Sequence, residues 1–250
     1  MQEFFLLGFA GLMAGAMNAL AGGGSFISLP ALVAAGVPSV GANASSSVAL
    51  YPGGIASAWV YRDKLRGIDG VPLLPSIFAT TVGGLTGAML LLWTPNSAFD
   101  RILPWLLLVA TLVLILGPRL GAILRRHLRI HTGLALTIQF ALGVYGGYFG
   151  GAVGLMMMAV WSLLDAGDVK TMAPARTLMV TAANTAAVLC FGAAGVIWWI
   201  PTIVLGAGAL AGGYLGAFLG RRLPASIIKS GTILIAVAMT LAFFVRGYGS

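Results

Sequence analysis

The chain carries one glycine-rich passage twice. Gly15, Gly22, Gly23 and Gly24 are followed by a short apolar run to Gly36 and then by Ala42-Asn43-Ala44-Ser45-Ser46-Ser47. A step of 131 residues carries Gly15 onto Gly146, Gly23 onto Gly154, Gly36 onto Gly167, Ala42 onto Ala173, Ala44 onto Ala175 and Ser46 onto Thr177. Farther along the step becomes 129, and Pro72, Gly83, Gly84, Gly87 and Pro95 fall on Pro201, Gly212, Gly213, Gly216 and Pro224. A repeat of this length in an apolar chain predicts two related halves, an organisation common among transporters.

The surroundings of those halves must be lipid. Only 8% of the 250 residues are charged, 59% are hydrophobic, and the mean hydropathy is +1.00. A soluble fold carries about 25% charged residues. Long unbroken apolar blocks, 102–116 and 227–245, favour helices over the alternating strands of a barrel. The fold class expected is therefore an all-α integral membrane protein. The net charge of +8 comes from Lys and Arg between apolar blocks, which suits topology signals rather than a nucleic-acid partner. Cys190 is the single cysteine, so no intrachain disulfide forms, and it reads as a small core residue. Met1-Gln2-Glu3-Phe4 lacks a basic n-region, so the first apolar stretch is expected to stay in the mature protein.

Each half divides into five apolar segments: 4–21, 25–37, 43–61, 71–92 and 102–117, then 132–150, 153–164, 173–193, 196–219 and 225–245. Eight approach the length of about 20 residues that spans a bilayer, and the second of each half is too short. Those short segments, each after a glycine cluster, are the places where transporters of this kind bind substrate. The predicted domains are a first membrane repeat over 1–118, a basic cytoplasmic linker over 119–130 and a second repeat over 131–250. Arg119, Arg125, Arg126 and Arg129 place that linker inside. Counting crossings then puts Arg62, Lys64, Arg66, Lys170, Arg221 and Arg222 inside as well. Five segments per half, with the first two returning to one side, predict inverted halves and both termini outside. Trp93, Trp105, Trp198 and Trp199 fall near segment ends, as interfacial aromatic residues do.

Two passages resemble a known family. Gly22-Gly23-Gly24-Ser25-Phe26-Ile27-Ser28-Leu29-Pro30, with Gly36 and Ala42-x-Ala44-x-Ser46, resembles the first signature of the TauE/SafE family, the sulfite-exporter-like transporters. Gly143-x2-Gly146-Gly147-Tyr148-Phe149-Gly150, with Gly154, Gly167 and Ala173-x-Ala175-Arg176-Thr177, resembles the second. The resemblance spans nearly the whole chain and implies a polytopic transporter of small anions, often sulfur oxyanions or organosulfonates. It departs from the pattern where Ala-x-Ala-Thr-Ser becomes Ala-Asn-Ala-Ser-Ser, and where Trp161 stands opposite Pro30 of the first half.

An anion leaving water needs several donors in compensation. Helix N-termini offer unpaired N–H groups and positive partial charge, which makes Gly23, Gly24 and Ser25 candidates in the first half and Gly154 in the second. The same glycines also suit close helix packing, and both readings stay open. Gly83, Gly84 and Gly87, with Gly212, Gly213 and Gly216, are assigned mainly to packing. Asn43, Ser45 and Ser46, beside Ser47, offer amide and hydroxyl donors; one of this group is expected to cap a helix and the others to face the pathway. Ser46 leads, because its counterpart Thr177 keeps the hydroxyl. Arg176 either binds an oxyanion bidentately or anchors the helix at the interface. Asn184 offers an amide for substrate or for a neighbouring helix. Asp165 and Asp168 border the short segment and suit pairing with Lys170 or Arg176, and His127 and His131 suit the interface.

The expected function is a secondary transporter in the inner membrane, an exporter of sulfite or an organosulfonate working by alternating access around a single midplane site. An anion channel and an intramembrane enzyme are the alternatives. The enzyme reading lacks an intramembrane nucleophile–base pair and metal ligands. The expected partners are a small inorganic or organosulfur anion and the lipid bilayer, with no cofactor, no metal and no nucleic acid; homo-oligomerisation is open.

Overall fold

The computed structural model describes residues 2–65, 72–124, 131–151, 153–164, 169–220, 222 and 224–248. Arg66, Asp69, Arg125, Arg126, His127, Arg129, Asp165, Asp168 and Arg221 lie outside the described residues, and so do the side chains of Arg119 and Lys170.

Among the described residues, ten α-helices follow the apolar segments: α1 (Gln2–Ala21), α2 (Ser25–Ala34), α3 (Ser39–Tyr61), α4 (Leu73–Trp93), α5 (Asn96–Leu124), α6 (Thr132–Phe149), α7 (Val153–Leu164), α8 (Val169–Ala194), α9 (Trp199–Gly220) and α10 (Ala225–Tyr248). The chain is an all-α, multi-pass membrane protein. Among the described residues six helices are long and apolar enough to cross a bilayer: α1, α4, α5, α8, α9 and α10. The sequence suggested eight. The other two, α3 and α6, have 23 and 18 residues. They dilute their apolar content with Asn43, Ser45–Ser47 and Pro52, or with Gln139 and four glycines. Most of these polar side chains lie inside the protein, where other helices satisfy them. The helices α2 and α7, at 10 and 12 residues, reach only about 15–18 Å against a hydrocarbon core of about 30 Å.

Several boundaries differ from the expectation. The Val37 N–H bonds to Leu32 O (3.1 Å) and Gly36 takes φ +83°, closing α2 three residues early. Pro38 then starts α3 four residues early, so Asn43 to Ser47 sit inside the helix and none of them caps it. The α3 end is instead held from α5: Asn96 Oδ1 accepts from the Val40 N–H (2.9 Å), and the Ser39 hydroxyl donates to the Asp100 carboxylate. Those polar residues belong to the first turns of α5, which begins at Asn96 rather than 102 and runs to Leu124, into the predicted linker.

Glycine makes two helix pairs close. Along α1 and α9 the contacts rise together, Gly8 with Gly208, Leu12 with Gly212 and Ala16 with Gly216, so the pair is parallel. The same holds for α4 and α6, where Thr80 meets Gly143 and Gly84 meets Gly147, while Gly83 meets Phe140 and Gly87 meets Val144. A Cβ on Gly87 or Gly212 would overlap the facing carbonyl oxygen. In lipid no hydrophobic force draws helices together, so such backbone approach supplies the packing.

Two further pairs run antiparallel. On α5 and α10, Tyr248 OH donates to Arg101 O (3.1 Å), while Thr111 and Thr240 meet at 3.1 Å. On α3 and α8, Tyr51 meets Thr185 (2.7 Å) and the Thr181 hydroxyl donates to Gly54 O (3.2 Å). A core of Phe26, Leu29, Leu32, Phe99, Leu103, Phe149 and Phe191 lies between these pairs, with Cys190 partly buried against it. Trp93, Trp105, Trp198 and Trp199 are all exposed and cluster at the end of the molecule where α3 begins.

Candidate functional site

The chain between α1 and α2 turns on Gly22, whose φ of +77° only glycine adopts without strain. Gly24 is the N-cap of α2. It is buried, and no side chain caps the helix. Buried helix starts normally find such a partner. A Cβ on Gly24 would lie 2.7 Å from Ala14 O and 2.8 Å from Asn18 Cβ, so the tight turn needs glycine for packing as well. Ser25 is buried in the first turn.

The hydroxyls meet here. Ser28 Oγ donates to Gly24 O (3.2 Å) and lies 2.6 Å from Ser46 Oγ of α3. With Ser28 donating to the carbonyl, Ser46 is the donor between the two hydroxyls. Ser45 turns to the other side and accepts from the Trp198 N–H at the start of α9 (3.0 Å). Asn43 reaches the second half: its Nδ2 donates to Tyr148 O (2.9 Å) near the end of α6. Among the described residues, Asn43 Oδ1 is a buried oxygen with no hydrogen-bond partner. Ser47 donates to Asn43 O (3.0 Å), and its Oγ stands 3.0 Å from where a Gly150 Cβ would be. Gly150, at φ +73°, is the turn that ends α6. The polar face of α3 in one half thus rests on the glycine turn of the other.

The second half is built differently. Gly154 lies in the first turn of α7, and the Arg176 stem packs over it, with Cδ 3.5 Å from a Cβ placed on the glycine. Arg176 and Thr177 are both engaged within the fold. Asn184 is half-buried on α8. The antiparallel register of α3 and α8 separates the candidates. Arg176 lies level with the last turn of α3, about thirteen residues and therefore about 20 Å from Ser46. Two groups result, Gly23, Gly24, Ser25, Asn43, Ser45 and Ser46 at one level, Gly154, Arg176 and Thr177 at another, with Asn184 between them.

Several contributors escape sequence reasoning. Ser28 is one; its spacing of three from Ser25 in an otherwise apolar run is the available signal. Gln139 is another, a lone amide in segment 132–150. Its Oε1 accepts from Trp161 Nε1 (3.0 Å), and its Nε2 donates to Thr80 Oγ1 (2.7 Å) and approaches Met179 Sδ (3.2 Å). An indole and an amide therefore fill the place that corresponds to Pro30 of the first half.

Comparison with known proteins meets this arrangement. The profile of the sulfite exporter TauE/SafE family matches residues 7–243. The chain belongs to that family. The TauE/SafE relatives include the "Probable membrane transporter protein YfcA" of Escherichia coli K12, 30% identical over 98% of this chain and 90% of the relative. The "Probable membrane transporter protein" of Haemophilus influenzae is 28% identical over 92% of this chain and 90% of its own length. The "Probable membrane transporter protein ORF9" of a Sinorhizobium species is 28% identical over 95% and 92%. No solved structure matches the chain at a significant level.

Proposed function

We propose that this protein is a secondary transporter of a small anion, an exporter of sulfite or an organosulfonate, working from the inner membrane. One observation carries the reading: the buried, uncapped N-terminus of α2, with the Ser28–Ser46 hydroxyl pair against its first carbonyl. That end offers main-chain N–H groups and the positive pole of the helix where an anion gains most, away from water. When an oxyanion arrives, Ser46 turns its O–H from Ser28 to the ligand, and Ser25 and the Gly23–Gly24 backbone complete the donors. The family's description as sulfite exporters and the relatives' names support transport.

The mechanism proposed is alternating access between two inverted halves, 1–118 and 131–250, joined by a cytoplasmic linker, with both termini outside. Corresponding helices run antiparallel, α3 to α8 and α5 to α10, as inversion requires. The parallel pairs α1–α9 and α4–α6 are likewise counterparts under exchange of the halves. The two groups of candidates, about 20 Å apart along α3, then serve opposite openings of one pathway. Arg176 holds the anion at the cytoplasmic opening, with Thr177, Gly154 and the Asn184 amide beside the path.

A thermal-shift screen of the purified protein tests the ligand class. Sulfite, thiosulfate and sulfoacetate are expected to raise the melting temperature more than acetate or chloride at equal ionic strength. Equal shifts from all of them would reject a sulfur-anion site.

A further inference from the structure

We infer that a cleft between α5 and α10 holds the phosphodiester headgroup of an anionic membrane lipid. The cleft has a volume of about 220 Å³ and is lined by Ser97, Asp100, Arg101, Phe243, Arg246 and Gly247. Two guanidinium groups face one carboxylate, which leaves a net charge of +1. The carboxylate is already committed, accepting the Ser39 hydroxyl. Among the described residues neither guanidinium has an ion-pair or hydrogen-bond partner; Arg246 lies only over the Phe243 ring, 5.9 Å from its centroid. The start of α5 adds the positive pole of a helix to the same place. Gly247 keeps the two helix ends close, since a Cβ there would lie 3.2 Å from Asp100 O.

The repeat supplies a control within the molecule. The 129-residue step carries Ser97 onto Ser226 and Arg101 onto Ser230, and a shallow groove lined by Ser226, Ile227, Ser230, Gly231 and Leu234 lies there. Arg246 corresponds to Gly117. The counterpart positions carry no guanidinium, so the arginine pair is a feature of this end of the repeat alone. It also lies opposite Arg62, at the other end of α3, so it is not part of that basic end.

The surface below the cleft decides between a lipid and a free anion. Trp105 Nε1 bonds to Tyr248 OH (3.0 Å), Phe244 packs edge-on to Trp105, and Val109, Leu241 and Val245 continue outward as exposed apolar surface. A single negative charge above an aromatic collar and an apolar wall matches a monoanionic phospholipid, whose phosphate meets arginine bidentately while its chains follow the helices.

The test uses the full chain in detergent, titrated with phosphatidylglycerol, phosphatidylcholine, glycerophosphoglycerol without acyl chains, or sodium sulfate, and read by melting temperature and by native mass spectrometry. Phosphatidylglycerol is expected to stabilise and stay bound at concentrations where the other three do not. Arg101→Gln with Arg246→Gln should weaken it at least tenfold, and Ser97→Trp should do so by filling the cleft with both charges kept. Should the double variant fail to fold, Ser97→Trp alone decides. Retention of phosphatidylglycerol unchanged in a folded variant, or equal stabilisation by sulfate or the chain-free headgroup, overturns the assignment.

Discussion

The Thr111 and Thr240 hydroxyls meet at 3.1 Å, and each is the other's counterpart, 129 positions apart, the step that carries Pro95 onto Pro224. A residue touches its own counterpart only near an axis that exchanges the two units. Because α5 and α10 run antiparallel there, an axis between them lies across the helices rather than along them. This is the geometry that the proposed inversion of the halves requires.

Topology gives the first prediction. Ser97 and Ser226 are counterparts and both are exposed. With Cys190 replaced by Ala, Ser97→Cys should react with an impermeant maleimide added outside intact cells, and Ser226→Cys only after permeabilisation. Labelling of both from one side contradicts inversion.

Close packing gives the second. Gly87→Ala places a Cβ on the Val144 carbonyl, and overpacking of this kind costs about 1–3 kcal/mol. Its melting temperature should fall by several degrees. Gly53→Ala meets nothing within 4 Å and should leave it unchanged or slightly higher. Equal effects would remove the packing role assigned to the glycine stripes.

Apolar length and glycine breaks located all ten helices, because a bilayer forces backbone polar groups into helices and glycine interrupts them. Helix starts were harder. Asn96 and Asp100 look like loop residues until Ser39 and Val40 give them partners some 56–61 positions away. The polar and glycine candidates can be named from the sequence, but how the fold groups them cannot. Nothing local links Asn43 to Tyr148, 105 positions on, or sets Ser46 and Arg176 at different levels; that follows from the register of α3 against α8.

The Trp161–Gln139 bond gives the third prediction. Trp161→Phe leaves Gln139 Oε1 buried without its donor, a loss of about 1–3 kcal/mol beyond that of the packing. Gln139→Leu in the same chain should recover part of the melting temperature. No recovery would show that the indole acts through its volume alone.

Ser46→Ala gives the fourth. Losing one hydrogen bond to a charged ligand costs about 1.5–3 kcal/mol, so anion affinity should fall about tenfold or more, beyond a modest drop in the melting temperature without ligand from the lost Ser28–Ser46 bond. Arg176→Gln should fold and lose most of the anion-dependent stabilisation. Full stabilisation in either variant removes that residue from the site.

Transport itself is measured most directly by counterflow of radiolabelled sulfite in proteoliposomes. Uptake is expected to saturate, to accelerate when unlabelled sulfite is loaded inside, and to slow in Ser46→Ala. Flux that never saturates and ignores the internal anion would mean a channel, and flux no greater than that of empty liposomes would contradict sulfite transport altogether.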